Sequence, residues 1–508
     1  MIKKILNVSV FKVFITLLNV SYGLILASFF GASEQMDAYV VISNFTLTLT
    51  SLFTVNQTKT LIPFLSKYKD SLEINNIISS IIRFNILIFF IISIIFFLFS
   101  KWITILLAPG LSQNQLTIAS NALKILSAFL LLSNFCGLGQ GLLEYRLQFE
   151  KPQIINLIKA ILSIVLLLAS VKFIGIYSAP LAGISSFIII SIIYFMIFNK
   201  HGTRLTSSIK LYNEYVQQYL HLLYPMLLAS SAVWMIGYVD TFIASFFDTG
   251  SISYLSYCRR VINNTSVISS SVCLVYYPIL SNLTQEGDDS KFQETFLKGI
   301  HTVFTLTVII TAFILIYAEP IVTILFERGA FSANDTDNVV HILKYFSYVL
   351  IGGPFGAFLA NLYYAKRRMK LVNILSVFSS VVNLILDCIL GYFYGIIGLA
   401  LASSIAFFVG NMLFLIYLSR ITRGYKFNHV IRKIIPPLIV GMLTFFIVIY
   451  LKRFGLQFEH IQYFYIKIFY LIIHFLIYFL VFIILALIFQ IEIISEFIKK
   501  GLNKIKFP

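Results

Sequence analysis

Carboxylates are scarce in this chain. Asp and Glu number 21 against 38 Lys and Arg, and the four types make up only 12% of the 508 residues. A soluble domain carries about a quarter. With 59% hydrophobic residues and a mean hydropathy of +0.91, a soluble globular fold is excluded and a polytopic membrane protein remains. Cysteine is sparse too. Cys136, Cys258, Cys273 and Cys388 all sit in apolar runs without a Cys-x-x-Cys pair, which excludes a zinc site or a disulfide frame. There is no His-Glu-x-x-His, no glycine-rich phosphate loop and no nucleophile elbow. No catalytic constellation is left, so a transporter is expected rather than an enzyme. The net charge of +17 would suggest nucleic acid in a soluble protein. Here most basic residues lie in short loops, where topology explains them, and no nucleic-acid partner is expected.

What is abundant is long apolar runs. A span needs about 20 mostly apolar residues. Fourteen stretches qualify: 6–29, 38–65, 77–107, 118–143, 153–173, 176–198, 216–247, 251–283, 299–324, 338–364, 371–393, 396–419, 431–451 and 463–490. With the N-terminus inside, inside segments hold 24 Lys and Arg, from Lys3 and Lys4 to Lys504 and Lys506. Outside segments hold five: Lys101, Lys172, Arg328, Lys452 and Arg453. A missed or extra span would invert this bias in everything after it, so fourteen spans with both termini cytoplasmic are predicted. Lys3 and Lys4 before an apolar run mimic a signal peptide. The run reaches Phe30 without a convincing cleavage site, and an uncleaved first span is expected.

The spans repeat. Ala27-Ser28-Phe29-Phe30 recurs as Ala244-Ser245-Phe246-Phe247, and Ile62-Pro63-Phe64-Leu65-Ser66 as Tyr277-Pro278-Ile279-Leu280-Ser281. Gly175 with Leu181-Ala182 recurs as Gly395 with Leu401-Ala402, at an offset of 220. Six spans per copy keep both copies in one orientation. The expected fold class is therefore all-α, with 14 transmembrane helices in two parallel six-helix repeats around a central cavity. The N-lobe covers 1–200, the C-lobe 216–420, and residues 429–508 hold spans 13 and 14 with a basic cytoplasmic tail.

Charge within the membrane is costly and points to function. Arg259 and Arg260 lie eight or nine residues in from the outer end of span 8. Neighbouring helix positions diverge by about 100°, so one is expected to face the lobe interface while the other packs or snorkels. Lys12, Lys59 and Arg83 lie roughly 10 Å from their inner helix ends. They either join the cavity or snorkel to the headgroups. Uncharged polar residues crowd span 2 (Thr50, Ser51, Thr54, Asn56, Gln57) and span 8 (Asn263, Asn264, Thr265, Ser266). Interhelical hydrogen bonding is one reading; a hydrated cavity for a sugar-like headgroup accounts better for the density. A cationic cavity suits an anionic substrate, since arginine grips phosphate with a fork and lysine with a point charge. Gly31, Ala32, Gly250, Gly352 and Gly353, near helix ends, permit either bending or close packing.

A second polar set lies toward the outside. Asp240, Asp387 and Ser403 are each about seven residues from an outer helix end, and Asn383 shares a helix face with Asp387. Two carboxylates, an amide and a hydroxyl suit a hard cation such as sodium. Protonation of one aspartate, or pairing with a membrane lysine such as Lys344, would serve instead.

The motifs also resemble a family. Gly31-Ala32-Ser33 with Asp37-Ala38-Tyr39 resembles the Gly-Ala-Ser…Asp-Ala-Phe signature of the MurJ (MviN) lipid II flippases. Phe326-Glu327-Arg328-Gly329-Ala330-Phe331-Ser332-Ala333-Asn334-Asp335-Thr336 resembles that family's outer-loop segment before span 10. Tyr257-Cys258-Arg259-Arg260 stands where the family has Tyr-Ala-Asp-Arg, and Gly395 to Ser404 resembles its Gly-x-x-Gly-Leu-Ala-Leu-Ala-x-Ser. The likeness covers nearly the whole chain. It implies the MOP-exporter fold and alternating access. It implies a monomer in the bilayer of the bacterial cytoplasmic membrane, with no covalent cofactor. The implied substrate is an undecaprenyl-diphosphate-linked peptidoglycan precursor, moved from the inner to the outer leaflet, its tail in a groove of spans 13 and 14. Arg260 matches a substrate-binding arginine and Asp37 the family's early aspartate. Asn383, Asp387 and Ser403 match a sodium site that adds a backbone carbonyl at the position of Leu399, and Asp240 fits its span 7 carboxylate. The chain departs from the pattern at Thr16 and Tyr22, at Thr50 and Ser51, and at Asn263, where the family carries arginines and a glutamate. Lys12, Lys59 and Arg83 are the candidates to replace that charge. The departures keep another lipid-linked glycan open: an O-antigen, capsule or exopolysaccharide unit. A cation-coupled drug exporter would not need spans 13 and 14. A membrane glycan polymerase would need a larger outer loop than this chain has.

Overall fold

The computed structural model describes residues 2–68, 70–200, 211–366, 368–421, 427–453, 458, 463–491 and 494. Lys69, Arg204, Lys210, Arg367, Arg423, Lys426 and the tail lysines of the charge count lie outside them. Among the described residues every regular element is helical.

Two compact units make up the chain: Met1–Ser253 with Arg328–Phe331, and Tyr254–Glu327 with Ser332–Pro508. The first contains α1 (Ile2–Phe30), α2 (Glu34–Leu65), α3 (Ser71–Leu98), α4 (Ser100–Leu107), α5 (Gln113–Tyr145), α6 (Glu150–Ile174), α7 (Ser178–Lys200) and α8 (Glu214–Ala244). Helix α9 (Ser251–Glu286) starts in the first unit and runs into the second. The second continues with α10 (Asp289–Phe326), α11 (Ala333–Phe346), α12 (Val349–Ala365), α13 (Met369–Ile421), α14 (Phe427–Lys452) and α15 (Phe464–Ile488).

Each unit has an apolar core. In the first, α5 packs against α2, α3 and α7. Leu61, Phe64, Ile77, Ile81, Leu142, Tyr194 and Phe198 interlock there. In the second, Phe292, Phe296, Phe304, Phe355 and Phe358 pack with Leu418. Within this unit α14 and α15 lie against α10, and the buried Tyr478 hydroxyl donates to the Ile309 carbonyl at 2.6 Å.

Eleven helical stretches among the described residues are long and apolar enough to cross a membrane. Glu150–Lys200 contains two of the expected spans, α6 and α7, joined by a short 3-10 turn. Met369–Leu418 contains two more, broken at Gly395. Helix α8 adds a further 31 residues. The fourteen spans read from hydropathy are thereby accounted for. Three of them are not single rods. Span 3 is interrupted at Phe99, with φ −97° and ψ 17°, and span 10 at Ser347–Tyr348 between α11 and α12. Helix α10 kinks at Tyr317 (φ −113°, ψ 23°), three residues before Pro320. Proline has no N–H for the carbonyl four residues back, and its ring crowds that carbonyl.

The repeat is visible in the backbone. Gly175 has φ 56° and ψ −136°, and Gly395, its counterpart, φ 58° and ψ −138°. Side chains avoid this region. A Cβ on either would meet no atom within 4 Å, so backbone conformation alone demands glycine. Gly395→Ala is expected to cost about 1–3 kcal/mol, read as a lowered midpoint of thermal unfolding. An unchanged midpoint would mean that the turn relaxes without strain.

The outer-loop motif has a backbone role. The Ala330 N–H donates to the Ser28 carbonyl at 2.8 Å. A Cβ on Gly329 would overlap that same carbonyl, and one on Gly31 would overlap the Ala330 carbonyl. Gly329 and Ala330 thus dock through their backbone on the end of α1. At Gly31 close packing, one of the two uses read from the sequence, is the one seen.

Candidate functional site

Helix α9 is buried nearly all round from Ser251 to Cys258, and over residues 257–264 it buries one stripe. Tyr257, Cys258, Val261 and Ile262 are buried. The Tyr257 ring lies 5.0 Å from that of Phe326, and the Cys258 Sγ donates to the Val339 carbonyl at 3.4 Å. This stripe fixes the helix rotation. Arg259 and Arg260 fall on the remaining arc, both half-buried, with Asn263 and Asn264 exposed one turn on. Both arginines share the open side; neither packs into the core. The Arg260 Nε is buried and, among the described residues, finds no hydrogen-bond partner. A buried donor left unsatisfied is costly, and an oxyanion would answer it with a charge-assisted, fork-shaped contact.

In the first unit, Lys12 on α1 and Lys59 on α2 are exposed. Arg83 on α3 is half-buried, and its Nε donates to the Ser79 carbonyl at 3.4 Å. The three cations stand on three different helices. The polar residues of α2 divide. Gln57 donates to the Asn85 side chain at 2.7 Å, and Asn56 accepts from Ser230 at 3.2 Å. These are interhelical hydrogen bonds. Thr50, Ser51, Thr54 and Thr58 are only half-buried.

Asp37 has a defined place. It is 2% exposed. Its Oδ2 accepts from the Gly250 N–H at 2.6 Å, and its Oδ1 from the Ser253 N–H at 2.8 Å and the Ser253 hydroxyl at 2.5 Å. Gly250 directly precedes α9, and Ser253 is its third residue. Helix starts leave donors unpaired and carry partial positive charge. A carboxylate on α2 therefore caps α9. The sequence flagged Gly250 only as a small residue near a helix end, and nothing in it singled out Ser253.

The cation set is buried throughout. In the first unit Asp240 is 6% exposed. In the second Asn383 is 5%, Asp387 0%, Leu399 1% and Ser403 7% exposed. The Asn383 amide donates to the Asp387 carboxylate. Asn383 and Asp387 precede the break at Gly395, while Leu399 and Ser403 follow it, four residues apart. Buried carboxylates need compensation. Lys344, the partner considered from the sequence, is exposed on α11. The Asn383 oxygen, the Asp387 carboxylate, the Leu399 carbonyl and the Ser403 hydroxyl are all hard oxygen donors, the chemistry an alkali cation takes.

A family model described as lipid II flippase MurJ matches residues 26–476. Curated relatives carry a corresponding name. A "Probable lipid II flippase MurJ" of Buchnera aphidicola subsp. Acyrthosiphon pisum (strain APS) is 23% identical over 425 residues, 81% of this chain and 83% of the relative. One from Vibrio cholerae serotype O1 is 30% identical over 175 residues, 34% of this chain and 33% of the relative. Among solved structures, "Lipid II flippase MurJ, inward closed conformation" superposes with a TM-score of 0.82 at 24% identity, covering 96% of this chain and 99% of that one. An inward-facing multidrug resistance MATE family transporter of the MOP superfamily superposes with a TM-score of 0.68 at 15% identity, covering 81% and 96%. At these identities the superpositions carry the fold.

Proposed function

The chain belongs to the lipid II flippase MurJ family, and from that premise we propose that it moves lipid II across the membrane it spans, as a transporter and not an enzyme. The family match over residues 26–476 carries the reading. Arg260 supplies its chemistry: a half-buried arginine on a membrane-spanning helix, its Nε without a partner among the described residues, suits a diphosphate. The substrate is a lipid-linked glycan; undecaprenyl diphosphate as its carrier is the finer part of the proposal. So are movement from the inner to the outer leaflet of a bacterial cytoplasmic membrane, cytoplasmic termini and action as a monomer. The alternation of basic loops supports the orientation. Depleting the protein should make lipid II accumulate in the inner leaflet. If lipid II stays constant while another undecaprenyl-linked glycan accumulates, the substrate assignment fails. Thr16, Tyr22 and Asn263, which stand where the family carries charge, would then have signalled a different headgroup.

Coupling to sodium is part of the same proposal. Asn383, Asp387, Ser403 and the Leu399 carbonyl would hold the ion, which supplies a positive charge against the buried carboxylate. Asp240 enters from the sequence reading alone. Sodium should raise the unfolding midpoint of the purified protein above that in potassium, and Asp387→Asn should erase the difference. Equal midpoints in the two salts for the parent protein would refute the ion.

A further inference from the structure

The inner mouth of the α10–α14–α15 cluster is hollow. Within the second unit, the start of α10, the start of α14 and the end of α15 line an open cavity of about 570 Å³, within the usual range of ligand sites, about 300–1,000 Å³. One side is basic: His429, Arg432 and Lys433 line it. The other is apolar, formed by Leu297, Pro436, Phe489 and Ile491. Beyond that wall the seam of Val440, Phe482 and Ala486 continues between the helices. The acid on the rim, Glu294, is engaged by Lys298 at 2.8 Å. Among the described residues Arg432 makes no ion pair. The basic side is also held in position: His301, 4% exposed, bonds through Nδ1 to the Lys433 carbonyl at 2.8 Å and ties α10 to α14.

An occupant must match both sides. It needs an anion for Arg432 and Lys433, and apolar matter for the wall of Leu297, Pro436 and Phe489. It must also reach the ends of membrane-spanning helices on the side where the basic loops lie. Basic pockets between spans on that side take anionic lipid headgroups. We propose that this cavity binds the phosphate-bearing headgroup of an acidic phospholipid, with Arg432 and Lys433 on the phosphate and the start of the acyl chains against the exposed side chains of Ile435 and Phe489. Neither Arg260 nor any residue of the cation set lines it, and its occupant is a resident lipid rather than the transported one.

The test uses the purified full chain in neutral detergent and reads thermal unfolding. Titrated dioleoylphosphatidylglycerol should raise the midpoint saturably, as a ligand of the folded state does. Dioleoylphosphatidylcholine and inorganic phosphate should not. Arg432→Gln/Lys433→Gln should raise the half-saturating concentration about tenfold, the change that about 1.4 kcal/mol of lost charge-assisted bonding conveys. Glu294→Gln removes the exposed rim acid and should lower it. A rise with inorganic phosphate alone would mean a free-anion site and overturn the lipid. A double variant that titrates like the parent would overturn the location. Should the double variant not fold, Glu294→Gln decides, because an unchanged half-saturation there contradicts the proposal.

Discussion

Arg260→Ala is expected to abolish transport while leaving insertion and folding intact. The fold should survive because Arg260 sits on the open arc of α9, and the core stripe of Tyr257, Cys258, Val261 and Ile262 is untouched. Function should not, because a charge-assisted hydrogen bond contributes about 1.5–3 kcal/mol, roughly 10- to 150-fold in affinity. Arg260→Lys keeps the charge and loses the fork, so partial rescue is expected. Complementation growth measures the first effect, and the amount of protein in the membrane the second. Full complementation by the alanine variant would remove Arg260 from the substrate site.

Asp37→Ala should show the largest loss of stability. It strips three buried hydrogen bonds from the start of α9. Each donor left unsatisfied costs about 1–3 kcal/mol, and the favourable charge at the helix start goes too. A loss of roughly 3 kcal/mol or more is expected, seen as a lowered unfolding midpoint and reduced protein in the membrane. Ser253→Ala removes only the hydroxyl bond and should do less. The double variant should fall short of the sum, because both changes act on one cap. If Asp37→Ala lost transport at unchanged stability, the carboxylate would be a substrate contact and the cap incidental.

Much of the architecture was legible because it obeys one rule. Lipid forces apolar runs of fixed length. The Gly175–Gly395 correspondence was readable because a backbone conformation only glycine tolerates leaves the same letter in both copies. The cap of α9 was hidden, since Asp37 and Ser253 lie 216 positions apart and neither is unusual alone. The kink at Tyr317 did have a signal, Pro320. The rotation of α9 did not. Residue spacing put Arg259 and Arg260 about 100° apart, but only the packed faces of Tyr257 and Cys258 reveal that both arginines fall outside the buried stripe. In α2, letters could not separate Gln57, bonded to Asn85, from the half-buried Thr50 and Ser51.

The docking of residues 328–331 onto the end of α1 also sets a timetable. The first unit needs these four residues, yet the ribosome delivers them only after residues 254–327. At about 5–20 residues per second that interval lasts roughly 4–15 s. For that time the Ser28 carbonyl waits without Ala330, and the first helices stand in the bilayer as an incomplete body. The earliest-made half of the protein is therefore closed by a late-made segment. Errors in the second half, such as a side chain at Gly329, should then be felt as defects of the first.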